Sequence, residues 1–563
     1  MKILLLHCDY IRFKALKKAL KKIEDLSEDE KVGEMKECLV VLTAVEKGDS
    51  VDSVKDYVKN IKDVVGQVNV KNVVLYPYAH LSKDLSLPDV AVEVMKEAEK
   101  ILSKEFKVLR APFGYYKEFE LKVKGHPLSE LSREIKFKGS EVEEKYDAVQ
   151  LLREISKAKL DTSKLKDNDH RIIGKQMDLF SFNDVAPGMV FWHNNGLIIR
   201  DELINFSKEV LRKNNYEIIS TPEIMDKKIW LVSGHWDKYK ENNFSTEYEK
   251  RKFLVKPMNC PGGMLVYKNS MKSYRDLPLR VAEFGIVHRQ ELSGVLAGLF
   301  RVIQFIQDDA HVFCTEAQLE KEINKLIDLI GFFYLKFGLT YRVELSTRPK
   351  KRIGDDKIWD KAEKVLENVL KKKKMKFKLN KGDGAFYGPK IDFHVKDSLN
   401  REWQLGTIQL DFSMPERFDL EYIDKDNKRK RPVMLHRAIY GSLERFIGII
   451  IEHYRGRFPL WFAPEQVRVL SFTDRNKGYA GIVEKLLKDS IPNLRISSDY
   501  RQTTIPAKVK DAELVRVPYI IVIGDKEEKE EMIAVRSKGD KKIESFKLKD
   551  FIEKIKKEIR EKV

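Results

Sequence analysis

The sequence contains few cysteines. Its 563 residues include four, Cys8, Cys38, Cys260 and Cys314, and no two of them have the close spacing of a paired motif. Small secreted domains that depend on disulfide bonds carry many more cysteines, at paired spacings. The scarcity argues against a disulfide framework and favours a reducing compartment.

Long apolar runs are also missing. No stretch approaches the ~18 consecutive apolar residues that cross a membrane. The apolar opening, residues 1–6, is cut short by His7 and Asp9, and no small-residue cleavage site follows it. We therefore interpret the opening as a first strand rather than a signal peptide, and we expect a cytoplasmic protein that is not bound to a membrane.

Acidic residues are fewer than basic residues. Lysine and arginine number 106 against 88 aspartates and glutamates, a formal net charge of +18. Such a balance favours a polyanionic partner, either nucleic acid or an anionic membrane. Hydrophobic residues nevertheless make up 42% and aromatic residues 10% of the chain, too many for a disordered basic protein. At roughly 150 residues per domain, the length predicts three or four domains and excludes a single small binding module.

The start of the chain has the pattern of a mixed α/β domain. Short β-branched runs at 38–43 and 73–76 alternate with helical stretches such as 89–106, as in a sheet flanked by helices. Residues from about 144 to 182 carry many charges and little apolar periodicity, which indicates a charged linker. The lysine run Lys371–Lys374 is typical of the solvated end of a charged helix.

Two helices are predicted in the middle of the chain. Apolar spacing predicts one over 200–213. A second is predicted to start at Thr315, whose spacing to Gln318 fits a capping box. Its predicted buried residues are Leu319, Ile323, Leu326, Ile330 and Tyr334.

Strands are predicted around these helices. Strand-like segments at 216–222, 279–287 and 301–305 make the middle a sheet-rich α+β domain. From about residue 464, short strands and helices alternate, which predicts a parallel or mixed sheet flanked by helices.

One set of side chains suits a metal. Cys260 lies in a proline-bounded turn, His311 is predicted at the end of a strand, and His436 at the start of another element. A thiolate and two imidazoles suit zinc, and three protein ligands leave the open position expected of a catalytic site. Without further context, a buried cysteine and core histidines remain the alternative, since 11 histidines offer many chance triplets.

Arginines at motif positions provide that context. Arg289 and Glu291 follow an apolar strand, Arg445 lies on an apolar helix, and Pro222 ends a strand before them. In this order and spacing the three segments resemble the signatures of class II aminoacyl-tRNA synthetases.

Within that class the chain resembles the threonyl-tRNA synthetase family over residues 185–560. The resemblance is carried by four motifs, at 259–261, 307–311, 384–390 and 436–439. It implies one Zn²⁺ per subunit held by Cys260, His311 and His436 and bound by the substrate threonine, Mg²⁺ with ATP, tRNA(Thr) as partner and a homodimer.

The resemblance also assigns roles to residues. The catalytic set is Arg289, Glu291 and Arg445. The threonine-binding residues are Gln307, Asp309, Tyr387 and Gln409. The ATP-binding residues are Arg289, Glu291, Arg301, Phe305, Lys390, Gln404, Thr407 and Arg445. Ile303 and Gln304 depart from the family pattern, where many relatives have arginine and glycine.

The chemistry gives these residue types a reason. An ionised carboxylate attacks the α-phosphorus of ATP, so the site needs fixed cations rather than a general base. A metal that must be ligated by a hydroxyl rejects valine, whereas serine lacks only a methyl group, worth ~10–200-fold. A second, hydrolytic site is therefore predicted.

The first domain matches that need. Segments 1–10, 77–81, 111–117 and 124–130 resemble the archaeal-type editing domain of threonyl-tRNA synthetases, which is similar to D-aminoacyl-tRNA deacylases. The resemblance spans about residues 1–143. It implies that mischarged seryl-tRNA(Thr) is bound by His80, Tyr116, Lys117 and Glu130.

The last hundred residues resemble the anticodon-binding domain of the family. The residues implied to contact the anticodon are Gln502, Lys510, Glu527 and Arg536. Gln502 and Lys510 stand where bacterial relatives usually carry asparagine and arginine. Base edges are read by such hydrogen-bonding side chains, whereas the positive charge attracts phosphates regardless of sequence.

These observations predict a multidomain protein of α/β and α+β class. Its parts are a deacylase-like editing domain (1–143), a charged linker (144–182), a class II catalytic domain with an antiparallel sheet (183–463) and an α/β anticodon-binding domain (464–563). The expected activity is threonine–tRNA ligation with seryl-tRNA hydrolysis. The alternatives are a seryl- or prolyl-type synthetase, a non-catalytic paralogue that binds RNA, and an editing-only protein.

Overall fold

The computed structural model describes residues 1–20, 23, 25–135, 152, 165–236, 243–397, 399–539 and 542–563. The chain divides into two compact units, residues 1–146 and 147–563. The greater part of the predicted charged linker, 144–151 and 153–164, lies outside the described residues.

The first unit is built on a mixed sheet. Its strands are β1 (Lys2–Lys18), β2 (Val32–Ala44), β3 (Asn72–Pro77), β4 (Lys107–Arg110), β5 (Tyr115–Val123) and β6 (Glu130–Glu134). The order is β4-β3-β2-β1-β5, and β6 also pairs with β1. Strands β2, β3 and β4 are parallel, whereas β1 is antiparallel to β2, β5 and β6.

The described helices of this unit are α1 (Glu28–Lys31), α2 (Val54–Val68) and α3 (Pro88–Leu102). Helices α2 and α3 cover one face of the sheet, whereas α1 has no buried residue. Leu5, Val41 and Leu75 belong to the same core as α2 and α3, while Leu6, Cys8 and Tyr76 pack in a second cluster. This is the alternation of a sheet with two apolar faces. The α/β prediction is confirmed, although α3 ends at Leu102 rather than 106.

The second unit begins within the segment assigned to the linker. Helix α4 (His170–Gln176) is followed by the paired strands β7 (Phe180–Ser181) and β8 (Phe191–Trp192). Ile173, Met177 and Leu179 belong to the main core. The linker prediction differs here because the apolar residues are few and separated by charges, so their packing partners lie far along the chain.

A large antiparallel sheet forms the centre of the second unit. The described strands between residues 217 and 442 are β9 (Glu217–Ile218), β10 (Ile224–Asp226), β11 (Ser245–Tyr248), β12 (Arg251–Val255), β13 (Lys272–Ser273), β14 (Leu279–His288), β15 (Gln304–Cys314), β16 (Thr340–Ser346), β17 (Phe377–Asn380), β18 (Lys390–Lys396), β19 (Glu402–Asp411), β20 (Tyr422–Ile423), β21 (Arg429–Lys430) and β22 (Val433–Ser442). The central order is β17-β16-β18-β19-β22-β15-β14-β9.

Helices pack on both faces of this sheet, because the helices that begin at Cys260 and Ser413 share a cluster with Phe313 and Met434, on the face opposite the main core. Part of that second face stays open as a cavity. The helices are α5 (Asn194–Lys213), α6 (Lys227–Ser233), α7 (Cys260–Lys268), α8 (Leu319–Lys336), α9 (Asp356–Lys372), α10 (Ser413–Arg417) and α11 (Leu443–His453). The capping box at Thr315 and Gln318 is confirmed, preceding a 3-10 turn that leads into α8. All five residues predicted to be buried on this helix are buried.

Three predicted strand positions differ from the structure. The expected strand 301–305 begins only at Gln304, and the expected strand 216–222 pairs over Glu217–Ile218 alone. His311 and His436 lie within β15 and β22, not at element ends. Polar motif residues interrupt the apolar pattern in these segments, so the pattern predicts the wrong ends for these strands.

The C-terminal region has a smaller mixed sheet. Its strands are β23 (Val467–Ser471), β24 (Ile496–Asp499), β25 (Tyr519–Ile523), β26 (Met532–Ser537) and β27 (Ile543–Lys547), in the order β24-β23-β25-β26-β27. The helices are α12 (Lys477–Ser490), α13 (Ile505–Leu514), α14 (Asp525–Glu530) and α15 (Leu548–Glu561). The mixed-sheet prediction is confirmed. None of the described helices combines the length and apolar character that a membrane crossing requires.

Candidate active site

Four adjacent strands place predicted residues in one row. His311 on β15 lies opposite His436 on β22, His436 lies opposite Gln409 on β19, and Gln409 lies opposite Lys390 on β18. Directly opposed side chains in antiparallel strands point to the same face and lie ~5 Å apart at Cβ. The row therefore runs across the face of the sheet that is partly open.

A second row lies two residues further along. Asp309 is opposite Ala438, Ala438 is opposite Thr407, and Thr407 is opposite Asp392. A cavity of about 430 Å³ lies over both rows. The predicted residues that line it are Arg289, Gln307, Asp309, Tyr387, Lys390, Thr407, Gln409 and His436.

The predicted metal ligands converge beside this cavity. Cys260 begins α7, and its ligand atom and those of His311 and His436 all lie within 4.8 Å of one another. All three residues are buried. The buried Nε2 of His311 has no hydrogen-bond partner among the described residues, which leaves a lone pair or proton unmatched. One thiol and two imidazoles in this arrangement fit zinc.

Asp411 supports this cluster, and the sequence analysis missed it. Its carboxylate lies 3.0 Å from Nε2 of His436 and accepts the backbone N–H groups of Ser413 (2.8 Å) and Met414 (2.9 Å). Metal-bound histidines usually have such a carboxylate on their second nitrogen. The alternation along β19 is the signal that points to it, because Asp411 follows Thr407 and Gln409 on one face.

His235 also lies at the cluster. Its Nε2 is 4.0 Å from the Sγ of Cys260, and its ring packs edge-on against Phe386. Burial lowers the pKa of His235 to about 3, so its imidazole is neutral at physiological pH. Burial also raises the pKa of the Cys260 thiol, and Asp309 and Asp411 add to this. A cation between the ligands would oppose that effect.

Of the arginine signatures, Arg289 lines the cavity, whereas Glu291, Arg301, Phe305 and Arg445 are not among its lining residues. Arg289, just beyond β14, donates from Nε to the Pro257 carbonyl (3.1 Å), and its guanidinium lies 5.3 Å from the centre of the Phe305 ring. Glu291 forms an ion pair with Arg301 at 2.9 Å. This arrangement combines exposed cations with an aromatic ring, as an anionic nucleotide requires.

Arg445 lies on α11. Its Nε donates to the Phe300 carbonyl at 2.9 Å. Burial lowers the pKa of its guanidinium, and the nearby Arg301 adds to this. Behind Phe300, the buried His170 accepts the N–H of Leu299 at 3.0 Å and pairs with Glu452 at 2.8 Å. His170 was missed because it falls in the segment assigned to the linker.

A buried carboxylate, Asp392, holds several of the predicted ATP-binding side chains together. Asp392 accepts hydrogen bonds from Gln404 Nε2 (2.7 Å), Thr407 Oγ1 (3.1 Å) and Ser346 Oγ (2.7 Å), and pairs with Lys390 Nζ at 3.0 Å. Gln404 is exposed and is not among the residues that line the cavity. On the threonine side, Tyr387 donates its hydroxyl proton to Gln409 Oε1.

Asp308 faces away from the cavity, although it adjoins Asp309 in sequence. Its carboxylate accepts the backbone N–H groups of Ile439 (2.8 Å), Tyr440 (2.9 Å) and Gly441 (3.0 Å). Burial raises the pKa of Asp308 to about 7. These hydrogen bonds join β15 to the C-terminal end of β22 on the face away from the cavity.

The predicted editing residues lie on the first unit. His80 follows β3 and is exposed, Tyr116 and Lys117 lie on β5, and Glu130 starts β6. Lys117 Nζ donates to the Pro112 carbonyl at 2.7 Å and lies 5.0 Å from the Tyr76 ring. Burial lowers the pKa of Lys117 to about 8.

Strand register separates these residues along β1. Lys117 pairs with Ala15, whereas Glu130 pairs with Leu6. A histidine pair, His7 Nδ1 to His126 Nε2 at 2.8 Å, adjoins the Glu130 end. Both histidines lie in motifs used for the resemblance, yet neither was assigned a role there.

The predicted anticodon residues occupy the small C-terminal sheet. Gln502 and Glu527 follow the ends of β24 and β25; Gln502 donates to Asp474, and Glu527 accepts the Gly524 N–H at 3.0 Å. Lys510 is exposed on α13. Arg536 lies opposite Ile520 and pairs with Glu513 at 2.5 Å, towards the other end of β25.

Three family models match the chain. They are described as the archaea-specific editing domain of threonyl-tRNA synthetase (residues 1–135), the class II tRNA synthetase core domain for G, H, P, S and T (243–454) and an anticodon-binding domain (466–558).

Individual proteins are similar over about 70% of the chain. A threonine–tRNA ligase of Clostridium kluyveri is 52% identical over 398 residues, 71% of this chain and 62% of its own length. One from Caldanaerobacter subterraneus subsp. tengcongensis is 51% identical over 394 residues, 70% of this chain and 61% of its own. The chain thus matches less than two thirds of these curated relatives' length.

A solved structure gives a fuller match. The structure of the RNA-binding domain of threonyl-tRNA synthetase from Cryptosporidium parvum Iowa II is 41% identical, with a TM-score of 0.67. The match covers 69% of this chain and 98% of that one. Together with the family models, it confirms the predicted multidomain architecture of editing domain, class II core and anticodon-binding domain.

Proposed function

Because this chain belongs to the threonyl-tRNA synthetase family, we propose that it activates threonine with ATP, transfers it to tRNA(Thr) and hydrolyses mischarged seryl-tRNA(Thr). The observation that carries this proposal is the pairing of His311, His436, Gln409 and Lys390 across neighbouring strands. It joins a zinc-type ligand set to a cavity lined by cations, so amino acid and ATP meet on one surface.

Activation follows from charge and position. A threonine carboxylate oxygen attacks the α-phosphorus, the bond to the β-phosphate oxygen breaks, and pyrophosphate leaves. Arg289 bridges the two anions, because a guanidinium binds oxyanions through two N–H groups. Arg445 and Arg301 hold the nucleotide, together with Mg²⁺ on the phosphates. In the second step a terminal ribose hydroxyl of the tRNA attacks the carbonyl, and AMP leaves.

Cys260, His311 and His436 hold Zn²⁺ in this proposal. When bound, the zinc would supply an open coordination position for the threonine hydroxyl. Asp309, Gln307, Tyr387 and Gln409 surround the amino acid, and valine is rejected because it leaves the coordination position and the polar groups unfilled.

Serine passes this selection, so the first unit supplies the hydrolytic step. His80, Tyr116, Lys117 and Glu130 bind the terminal adenosine and the seryl group. Lys117 supports this role because it is held against backbone carbonyls and an aromatic ring rather than by a carboxylate. Replacing it with methionine should slow seryl-tRNA(Thr) clearance while threonine activation is retained.

The remaining predictions are proposals of the same kind. The domains run over 1–143, 183–463 and 464–563, and α4 and β7, inside the segment 144–182 assigned to the linker, are added to the second of them. Gln502, Lys510, Glu527 and Arg536 read the anticodon, and the protein acts in the cytoplasm. A homodimer is supported by exposed apolar side chains beside Pro222, namely Ile224, Leu265 and Val266, and sedimentation would measure it.

The seryl- or prolyl-type alternatives and the non-catalytic paralogue are less favoured. Cys260, His311 and His436 together argue against the seryl- and prolyl-type alternatives, and the presence of Arg289, Glu291 and Arg445 argues against a paralogue that has lost ATP chemistry. Likewise an editing-only protein has no use for the second unit's cavity.

The decisive experiment is amino-acid-dependent ATP–pyrophosphate exchange on zinc-replete protein. Threonine should support exchange, serine should support less, and valine almost none. Exchange with none of threonine, serine, valine or proline would favour the RNA-binding paralogue. A maximum with serine or proline would contradict the zinc-based selection.

A further inference from the structure

A basic cleft lies between the end of α11 and the C-terminal sheet. Two adjoining cavities, of about 740 and 220 Å³, share Arg457 and Arg516 in their walls. The first also has Arg455, and the second Arg536 and Lys538. We call these five cations the basic cleft.

The cleft holds more positive charge than its neighbours neutralise. Among the described residues, only Arg536 of the five has a carboxylate within 4.0 Å, that of Glu513. Arg516 donates instead to neutral oxygens, the carbonyls of Arg455 and Leu514 and the side chain of Gln176, each at 2.8 Å. Arg457 is exposed. Two carboxylates also line the cavities, Asp167 in the first and Glu513 in the second, so the five cations exceed the acids by three.

Burial makes this charge costly. Lys538 donates to the Phe458 carbonyl at 2.8 Å. Burial, together with the nearby charge of Arg457, lowers the pKa of Lys538 to about 8. The pKa of Arg516 is lowered by the same two causes. An anion in the cleft would remove the repulsion, because opposite charges favour the ionised forms.

The arginines are also held in place by close backbone packing. Gly456, with φ +75°, turns the chain between Arg455 and Arg457, and a Cβ there would lie 2.6 Å from Cδ of Arg516. A Cβ on Gly539, with φ +76°, would lie 2.8 Å from Nη1 of Arg457. The absence of side chains at these two glycines leaves room for the Arg516 side chain at Gly456 and for the Arg457 guanidinium at Gly539.

We propose that the basic cleft binds the phosphodiester backbone of RNA. Guanidinium groups bind phosphate oxygens through paired N–H donors, and cations spread over two adjoining cavities suit consecutive phosphates better than one small anion. Arg536 gives continuity, since it lies in the cleft and is a proposed anticodon reader. The proposal rests on the proposed function, in which the polyanion is tRNA(Thr).

The test compares Arg457→Glu, Arg457→Lys and the wild-type full chain for binding of a tRNA(Thr) transcript across a salt series. Arg457→Glu should weaken binding about tenfold or more, since a hydrogen bond to a charged group is lost and a repulsion gained. The slope of log affinity against log salt should fall by about 1. Arg457→Lys should retain most of the binding.

Arg429→Glu is the matched control. Arg429 is exposed and pairs with Glu421 at 3.0 Å, outside the cleft, and its reversal changes net charge equally. Threonine-dependent pyrophosphate exchange should be unchanged in Arg457→Glu, which shows that the site remains folded. An unchanged affinity and salt slope in Arg457→Glu, or an equal loss in Arg429→Glu, would overturn the cleft.

Two further outcomes separate this proposal from others. Poly-glutamate and free pyrophosphate are tested on the same variants. If either of them binds the wild-type chain and binds Arg457→Glu more weakly, and the affinity for the transcript is the same in both chains, the ligand is not RNA and the proposal fails. If the wild-type chain binds no transcript, the cleft fails together with tRNA ligation. Exchange activity would then tell whether amino-acid activation survives.

Discussion

The active cavity of the second unit and the editing face of the first unit both lie on a β-sheet, but their residues are connected differently. In the cavity, predicted residues are direct neighbours across β15, β22, β19 and β18. On the editing face, Lys117 and Glu130 pair with positions of β1 nine residues apart, Ala15 and Leu6.

This difference teaches what support a site needs. The cavity residues share buried carboxylates, Asp392 and Asp411, which fix several side chains at once. The exposed His80, Tyr116 and Glu130 have no such common partner among the described residues. We therefore expect the cavity to be preorganised and the editing face to depend on its substrate for final alignment.

The largest expected effect tests the cavity's metal ligands. Cys260→Ser should lower zinc affinity by well over 100-fold, more than the ~10–100-fold that loss of an outer partner costs. Threonine activation should fall with it. Elemental analysis and competition with a chromophoric chelator measure the metal. Cys314→Ala removes a buried thiol from the same strand as His311 and should keep its zinc; equal zinc in both variants would contradict the assignment.

A smaller effect tests the shared carboxylate. Asp411→Asn should lower zinc affinity by about 10–100-fold, because His436 loses the anion that orients it. The same chelator competition measures this. Asp419→Asn, on an exposed residue, is the control. If Asp411→Asn binds zinc like wild type, the cavity's preorganisation does not depend on shared carboxylates.

Next comes a single hydrogen bond in the cavity. Tyr387→Phe removes the donor to Gln409 and should raise the KM for threonine by about tenfold, the size of one net hydrogen bond. Exchange kinetics measure it, with Tyr248→Phe, on an exposed tyrosine, as control. A change confined to kcat would mean that the bond forms only in the transition state.

The smallest effect concerns the editing face. Because the pKa of folded Lys117 is about 8 and an unfolded lysine titrates near 10.4, the unfolded chain binds more protons between these values. Stability of the first unit should therefore rise with pH across this range, by about 1 kcal/mol after solvent screening.

Pulse proteolysis of the full chain in urea, reading fragments of the first unit, measures that rise. Lys117→Met should abolish it, and Lys104→Met should not. A rise of the same size in both variants would assign it to other groups and leave the editing face without its buried cation.

Much of the fold and of the cavity was predictable from sequence, because many of its parts depend on local sequence patterns or on motif residues. The capping box at Thr315 is an example of the first, and Cys260, His311 and His436 of the second. Asp392, Asp411 and His235 were not found, because their importance arises from strand pairing and packing between distant segments. His170 was missed for a related reason, since its partner Glu452 lies 282 residues away.

Asp411 has one more consequence. The same carboxylate that faces His436 also accepts the first N–H groups of helix α10, from Ser413 and Met414. The start of helix α10 and the imidazole of His436 are therefore held by the same carboxylate. If His436 binds zinc as proposed, the exchange of these two buried amide protons with solvent should change with metal loading, and hydrogen exchange would measure that loading without tRNA or ATP.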